Sequence, residues 1–198
     1  MRLLILFAVV ACTKPHPPEA PDTPRPAKPP WRTPETWRSE SFKFPLEFAP
    51  TITHTGIEEL RFAPGFADPT KPGYWSYAFV WRTGDQAALD AAALGTELTT
   101  YFRGLIAAVD EKQQVKDRDA ILAKATASGD SRYELAIHVI DVFKTFQPVD
   151  LVGWAQRQPC GAGALWVFAL GPAQTPVRDQ LDALAREVVC GQPTPADH

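Results

Sequence analysis

The stretch Tyr74-Trp75-Ser76-Tyr77-Ala78-Phe79-Val80-Trp81-Arg82 decides the fold class. Trp75, Tyr77, Phe79 and Trp81 share one face and Ser76, Ala78 and Val80 the other, which is the two-residue period of a β-strand. Four aromatic rings in a row need a cover, and the following segment offers one. Gly84-Asp85 breaks the strand, and Asp85 can cap a helix over residues 86–109. Its apolar stripe runs through Leu94, Leu98, Tyr101, Leu105 and Val109 in steps of three and four. The other use of the row Trp75, Tyr77, Phe79 and Trp81 is as a ligand platform, because exposed aromatic rows bind sugars or acyl chains by stacking and apolar contact.

Toward the N-terminus, Phe42, Phe44, Leu46 and Phe48 alternate in an extended segment stopped at Pro50, and residues 57–63 form a second short strand before Pro64-Gly65. On the other side lie strand candidates at residues 120–127, 133–143, 149–158 and 164–170, with Ser128-Gly129-Asp130-Ser131 as a hairpin turn. A closing helix spans residues 176–189, capped by Thr175 and striped by Val177, Leu181, Leu184 and Val188. The expected order is βββ-α-ββββ-α, an α+β domain with a mainly antiparallel sheet and two packed helices.

The chain has 198 residues, room for one domain with appendages, and 45% hydrophobic with 22% charged residues is ordinary for a folded core. A formal charge of -3 excludes nucleic-acid binding by bulk charge.

Met1 and Arg2 precede an apolar run at residues 3–11, too short for the roughly 20 residues of a bilayer-spanning helix. Val9-Val10-Ala11 then leads into Cys12. A small residue before Cys, with branched aliphatics ahead of it, resembles the bacterial lipobox, whose Cys receives a diacylglyceryl thioether and becomes the new N-terminus. Residues 13–38 hold nine of the 20 prolines and little aliphatic content, the composition of a tether. In the extended polyproline form, at about 3.1 Å per residue, it reaches up to roughly 80 Å. The expected organisation is a signal peptide at 1–11, a lipidated Cys and Pro-rich tether at 12–38, a globular domain at 39–192 and a flexible tail at 193–198.

The segments FPLEFAP (residues 44–50), EELRFAPG (58–65), YWSYAFVW (74–81), YFRGL (101–105) and DVF (141–143) resemble those of a family of uncharacterised secreted, often lipid-anchored bacterial envelope proteins. The resemblance covers residues 37–190. It brings no established activity and implies a free-standing envelope domain whose two final cysteines recur as a pair. Cysteine parity points the same way: with Cys12 lipidated, Cys160 and Cys190 remain, and an even remainder in an exported chain reads as a disulfide.

The catalytic inventory is thin. There is no Gly-x-Ser-x-Gly, phosphate loop or dinucleotide fingerprint, and His54 and His138 lack neighbouring ligands at metal spacing, so no metal or cofactor is expected. Asp141 is the one candidate acid, since alternation places it on the apolar face of Tyr133, Leu135, Ile137, Val139 and Phe143, where a carboxyl is raised or partnered. Glu59 and Arg61 share a strand face and read as a surface ion pair.

The sequence therefore describes an exported, membrane-anchored protein of the bacterial envelope, a binding or interaction module at the membrane surface. Its expected partners are the membrane through the lipid anchor, another envelope protein, or a small apolar or sugar ligand. The competing reading is a small envelope hydrolase or transferase using Asp141.

Overall fold

The computed structural model describes residues 30–86 and 88–194. The apolar run at the N-terminus, Cys12 and most of the Pro-rich stretch lie outside the described residues. The chain runs β1 (Arg38–Phe44), β2 (Gly56–Phe62), β3 (Tyr77–Thr83), α1 (Ala91–Val109), β4 (Leu122–Gly129), β5 (Arg132–Ile140), β6 (Pro148–Cys160), β7 (Gly163–Pro172) and α2 (Arg178–Arg186). The strands form one seven-stranded sheet in the order β1-β2-β3-β7-β6-β5-β4, antiparallel at every ladder. Two hairpin-linked runs, β1 to β3 and β4 to β7, are joined where β3 pairs with β7, and α1 is the connection between them.

Alternation sorts the side chains into two layers. One face carries Leu60 and Phe62 of β2, Tyr77, Phe79 and Trp81 of β3, Trp166, Phe168 and Leu170 of β7, and Leu135 and Ile137 of β5, all covered by α1. The other carries Ala78, Val80, Trp154, Leu165, Val167 and Ala169, covered by α2 and by a segment preceding β1.

Helix α1 is gripped from both ends of the sheet. A Cβ at Gly104 would collide with the Phe48 carbonyl, so glycine lets the loop after β1 lie directly on the helix. Farther along, Thr99 Oγ1 accepts from Ala123 N (2.9 Å) and Arg103 Nε donates to the Ile121 carbonyl (3.0 Å), so helix side chains serve β4, an edge strand.

The helix starts later than expected. Its cap is Asp90, whose carboxylate accepts from Ala93 N at 2.8 Å, not Asp85. The closing helix is shorter than residues 176–189, because Thr175 turns inward to share a hydrogen bond with Ser76 Oγ (2.7 Å) instead of capping it. After β1 the chain does not stay extended. Pro45 cannot continue a ladder, and a turn from Leu46 to Ala49 tucks both into the core.

The boundary expected between residues 38 and 39 is also corrected. Trp31 is only 3% exposed and Trp37 is buried, both against the α2 face, so the folded unit begins by residue 31. Trp31 Nε1 donates to the Leu184 carbonyl (3.0 Å), and Arg32 forms a forked pair with Glu187 at 2.6 and 2.7 Å. Proline content hides this docking, since a single indole contributes little to composition yet buries a large apolar area.

Candidate functional site

The aromatic row is core. Trp75, Tyr77, Phe79 and Trp81 are all essentially inaccessible, and Phe79 stacks on Phe168 with ring centroids 4.2 Å apart and on Tyr101 of α1 at 5.8 Å. The ligand-platform reading is thereby corrected: the helix that follows the strand covers it. Trp75 leaves the strand altogether. It sits in the preceding turn at φ 46°, and its indole nitrogen donates to Asp141 at 3.3 Å.

Asp141 is no raised acid. It lies just beyond β5 and takes hydrogen bonds from Thr145 N and Thr145 Oγ1 (both 2.7 Å), Phe143 N (3.0 Å) and Trp75. Burial pushes its pKa up, but these donors, Thr145 foremost, outweigh burial and hold it below the ordinary carboxylate value. An ionised side chain with both oxygens occupied shapes the loop after β5 and has no proton to donate.

Glu59 and Arg61 are also corrected, being buried rather than on the surface. Glu59 accepts from Arg82 Nε at 2.7 Å and lies 3.4 Å from Arg61. Arg61 in turn donates to the carbonyls of Trp31 (2.8 Å), Arg32 (3.2 Å) and Leu60 (2.9 Å), with its guanidinium 4.3 Å over the Trp31 ring. This buried cation nails the N-terminal strap to β2.

His54 bridges two carboxylates, Asp85 at Nδ1 and Glu97 at Nε2, each at 3.0 Å. The Glu97 hydrogen bond chiefly raises its pKa, against the opposing effect of burial and with help from Asp85. The acids sit on opposite ring nitrogens, so the arrangement ties the loop before β2 to α1. His138 pairs at the surface with Asp150 (2.7 Å). Among the described residues no three His, Cys, Asp or Glu side chains converge as metal ligands would. Cys160, at the end of β6, and Cys190, in the turn after α2, are bonded with Cα atoms 5.4 Å apart.

The structure brings together residues that no motif marked. Between β1, the C-terminal half of α1 and the loop after β5 lies a cleft of about 250 Å³. Buried Leu60, Phe62, Phe66, Tyr77 and Tyr101 form its deep part, and Phe42, Val109 and Phe143 stand at its mouth. Only five large apolar side chains are exposed among the described residues, and three of them meet here. Apolar residues scattered singly on a surface are ordinary, whereas a convergent group beside a cavity marks a binding site. Arg38 and Glu40 form the rim, paired at 3.4 Å, with the Arg38 guanidinium 4.7 Å from the centre of the Phe62 ring.

Glu58 lies fully buried on the same sheet face. Trp81 Nε1 donates to its Oε1 (2.9 Å), while Oε2 has no hydrogen-bond partner. Burial pushes its pKa up to about 8, despite the opposing help of Trp81 and Tyr101 as donors, so the carboxyl is mostly protonated at neutral pH. A signal for it was available, since Glu58 shares strand parity with Leu60 and Phe62.

A larger concavity of about 510 Å³ opens over β4, β5 and β6 on the opposite face, lined in part by Lys124, Arg132, Trp154 and Arg178. Its arginines are already employed. Arg178 donates to the carbonyls of Val152, Gly171 and Pro172, and Arg132 rests 4.5 Å over Trp154. The smaller cleft is the better candidate because its lining is apolar and its mouth is exposed.

Comparison with protein-family models, curated proteins and solved structures finds no match to this chain.

Proposed function

We propose that this chain is a lipid-anchored bacterial envelope protein whose domain binds a small, single-chain apolar ligand in the cleft beside β1. The observation that carries the reading is the convergence of exposed Phe42, Val109 and Phe143 on a cavity floored by buried aromatic and aliphatic side chains. At about 250 Å³ the cavity is below the usual range for drug-sized ligands, about 300–1,000 Å³, which favours one short aliphatic chain over a sugar or a multi-ring molecule. No helix among the described residues is long and apolar enough to cross a membrane. In this reading the attachment is the thioether-linked lipid on Cys12. With Trp31 docked, residues 13–30 remain as the tether, a reach of up to roughly 56 Å in the polyproline form.

The cleft is tested by titrating 1-hexanol and 1-chlorohexane into the protein and following backbone amide shifts by NMR. Shifts should concentrate at residues 38–42, 101–109 and 143. Leu105→Trp should fill the cavity and abolish them while the protein stays folded. Shifts scattered over the surface, or unchanged in that variant, refute the cleft. Anchoring is tested separately: a palmitate analogue should label the wild type and leave Cys12→Ala unlabelled.

A further inference from the structure

Among the described residues, two charged side chains line the cleft, Arg38 and Glu40, and both stand at its mouth. Strand register explains their place. Arg38 lies opposite Phe62 and Glu40 opposite Leu60 in the ladder of β1 with β2, so each charge projects beside a residue of the apolar floor. The two are not equivalent. The Arg38 guanidinium rests 4.7 Å from the centre of the Phe62 ring, which fixes it over the floor, while 63% of its side chain stays exposed. Its polar contact is a single one, Nη2 to Glu40 Oε1 at 3.4 Å, and a guanidinium carries five N–H donors. Most of those donors are left for water or a ligand. Glu40 is the more enclosed of the pair, with 36% of its side chain exposed.

We propose that Arg38 makes the mouth of the cleft a site for an anionic head group, so that the ligand is a single-chain carboxylate seated tail first. The proposal rests on the cleft reading above and adds the polar end of its ligand. Orientation follows from the lining. Leu60, Phe62, Phe66, Tyr77 and Tyr101 surround the deep part with aliphatic carbon and aromatic rings, where an ion would lose its hydration without meeting a counter-charge. The tail therefore goes inward and the charge stays in water at the rim. There the planar fork of Arg38 matches the two oxygens of a carboxylate, a pairing that neither an alcohol nor an ammonium can make. A carboxylate uses donors that Glu40 leaves free, whereas an ammonium would have to compete with Arg38 for Glu40, the less exposed partner. Glu40 also tempers the site, because its charge beside Arg38 opposes a second anion.

The test titrates 1-hexanol, hexanoate and hexylammonium at pH 7 into the protein and into its Arg38→Gln and Glu40→Gln variants, following the same amide shifts. Both substitutions fall on the rim, so melting temperatures should stay within about 2 °C of the wild type. In the wild type hexanoate should bind at least about threefold more tightly than hexylammonium. Arg38→Gln should weaken hexanoate about three- to fivefold, the scale of one exposed ion pair, and leave 1-hexanol within about twofold. Glu40→Gln should act in the opposite sense, tightening hexanoate about two- to threefold without moving 1-hexanol. The head-group site is overturned, and the cleft left standing, by any of three results: Arg38→Gln affecting alcohol and carboxylate alike, hexylammonium binding as tightly as hexanoate, or hexanoate failing to bind where 1-hexanol does. Failure of all three probes to bind the wild type overturns both.

Discussion

On one face of the sheet a 19-residue helix lies over an unbroken aromatic layer; on the other, a nine-residue helix and an N-terminal strap share the cover. The first face is filled by volume. Its polar groups, Glu58 and Tyr77, are left partly or wholly unsatisfied next to a cavity. The second is tied by specific links: Arg61 to the strap carbonyls, Arg32 to Glu187, and Cys160 to Cys190. Aromatic packing can tolerate a gap that admits a ligand, whereas a thin cover must be fastened. In the proposed reading the α1 face carries the binding cleft, while the links on the other face hold the fold together.

The hardest blow to this division would be a strap that can be removed without effect. Deleting residues 13–37 should cost about 5 kcal/mol, since truncating a single buried Trp costs roughly 3–5 and Arg61 also loses its carbonyl partners. Thermal melting should fall by about 10–20 °C. A fall under about 2 °C would show that the strap is ornamental and the second face closes without it.

Glu58 sharpens the comparison from the other side. Its folded pKa of about 8 stands above the usual 4.5, so the folded state keeps a proton that the unfolded chain releases. The penalty is absent at low pH, grows as pH rises past the unfolded value, and is complete above the folded one. Urea melts of Glu58→Gln against wild type should therefore shift by about 4 kcal/mol in favour of Gln between pH 5 and pH 9. A difference independent of pH would mean that Glu58 is ionised and partnered in the core.

Removing the disulfide in a Cys160→Ser, Cys190→Ser variant should cost about 3 kcal/mol, because the bond closes a loop of 30 residues in the unfolded chain. Probe binding at the cleft should persist wherever that variant is folded, since bond and cleft lie on opposite faces. Loss of binding in a folded double variant would join the two faces functionally.

His54 carries the smallest effect. Its pKa is raised by Glu97 and Asp85, so its contribution is full below the ordinary histidine value and is lost as pH rises through the folded one. His54→Gln should therefore destabilise more at pH 5 than at pH 9 in parallel denaturant melts. The reverse order would place a neutral imidazole between the two acids.

Element order was legible because it rests on periodicity. Trp81, Phe79 and Tyr77 alternate, Leu94 to Val109 recur in helical steps, and turn residues punctuate the runs. Helix starts were less legible, since Asp85 and Asp90 are equally good caps by type. Asp90 is the one whose carboxylate meets Ala93 N, and the carbonyl of its neighbour Leu89 is held by the hydroxyl of Tyr133 in β5 (2.9 Å). Charge misled at β2. Glu58, Glu59 and Arg61 look solvated, yet β2 lies between two strands and under a cover on each face, so both parities are buried.

By itself the sequence determined the alternation of strands and helices, the pairing of its last two cysteines, and the apolar identity of the α1 face, all of which follow from spacing along one chain. Tertiary structure alone decided that Trp31 belongs to the fold, that Asp141 is a structural anion, and that Phe42, Val109 and Phe143 meet at one cavity. Those three side chains come from a strand, a helix and a loop that span a hundred residues. Their convergence depends on how the sheet wraps α1, a property of long-range packing that no local pattern encodes.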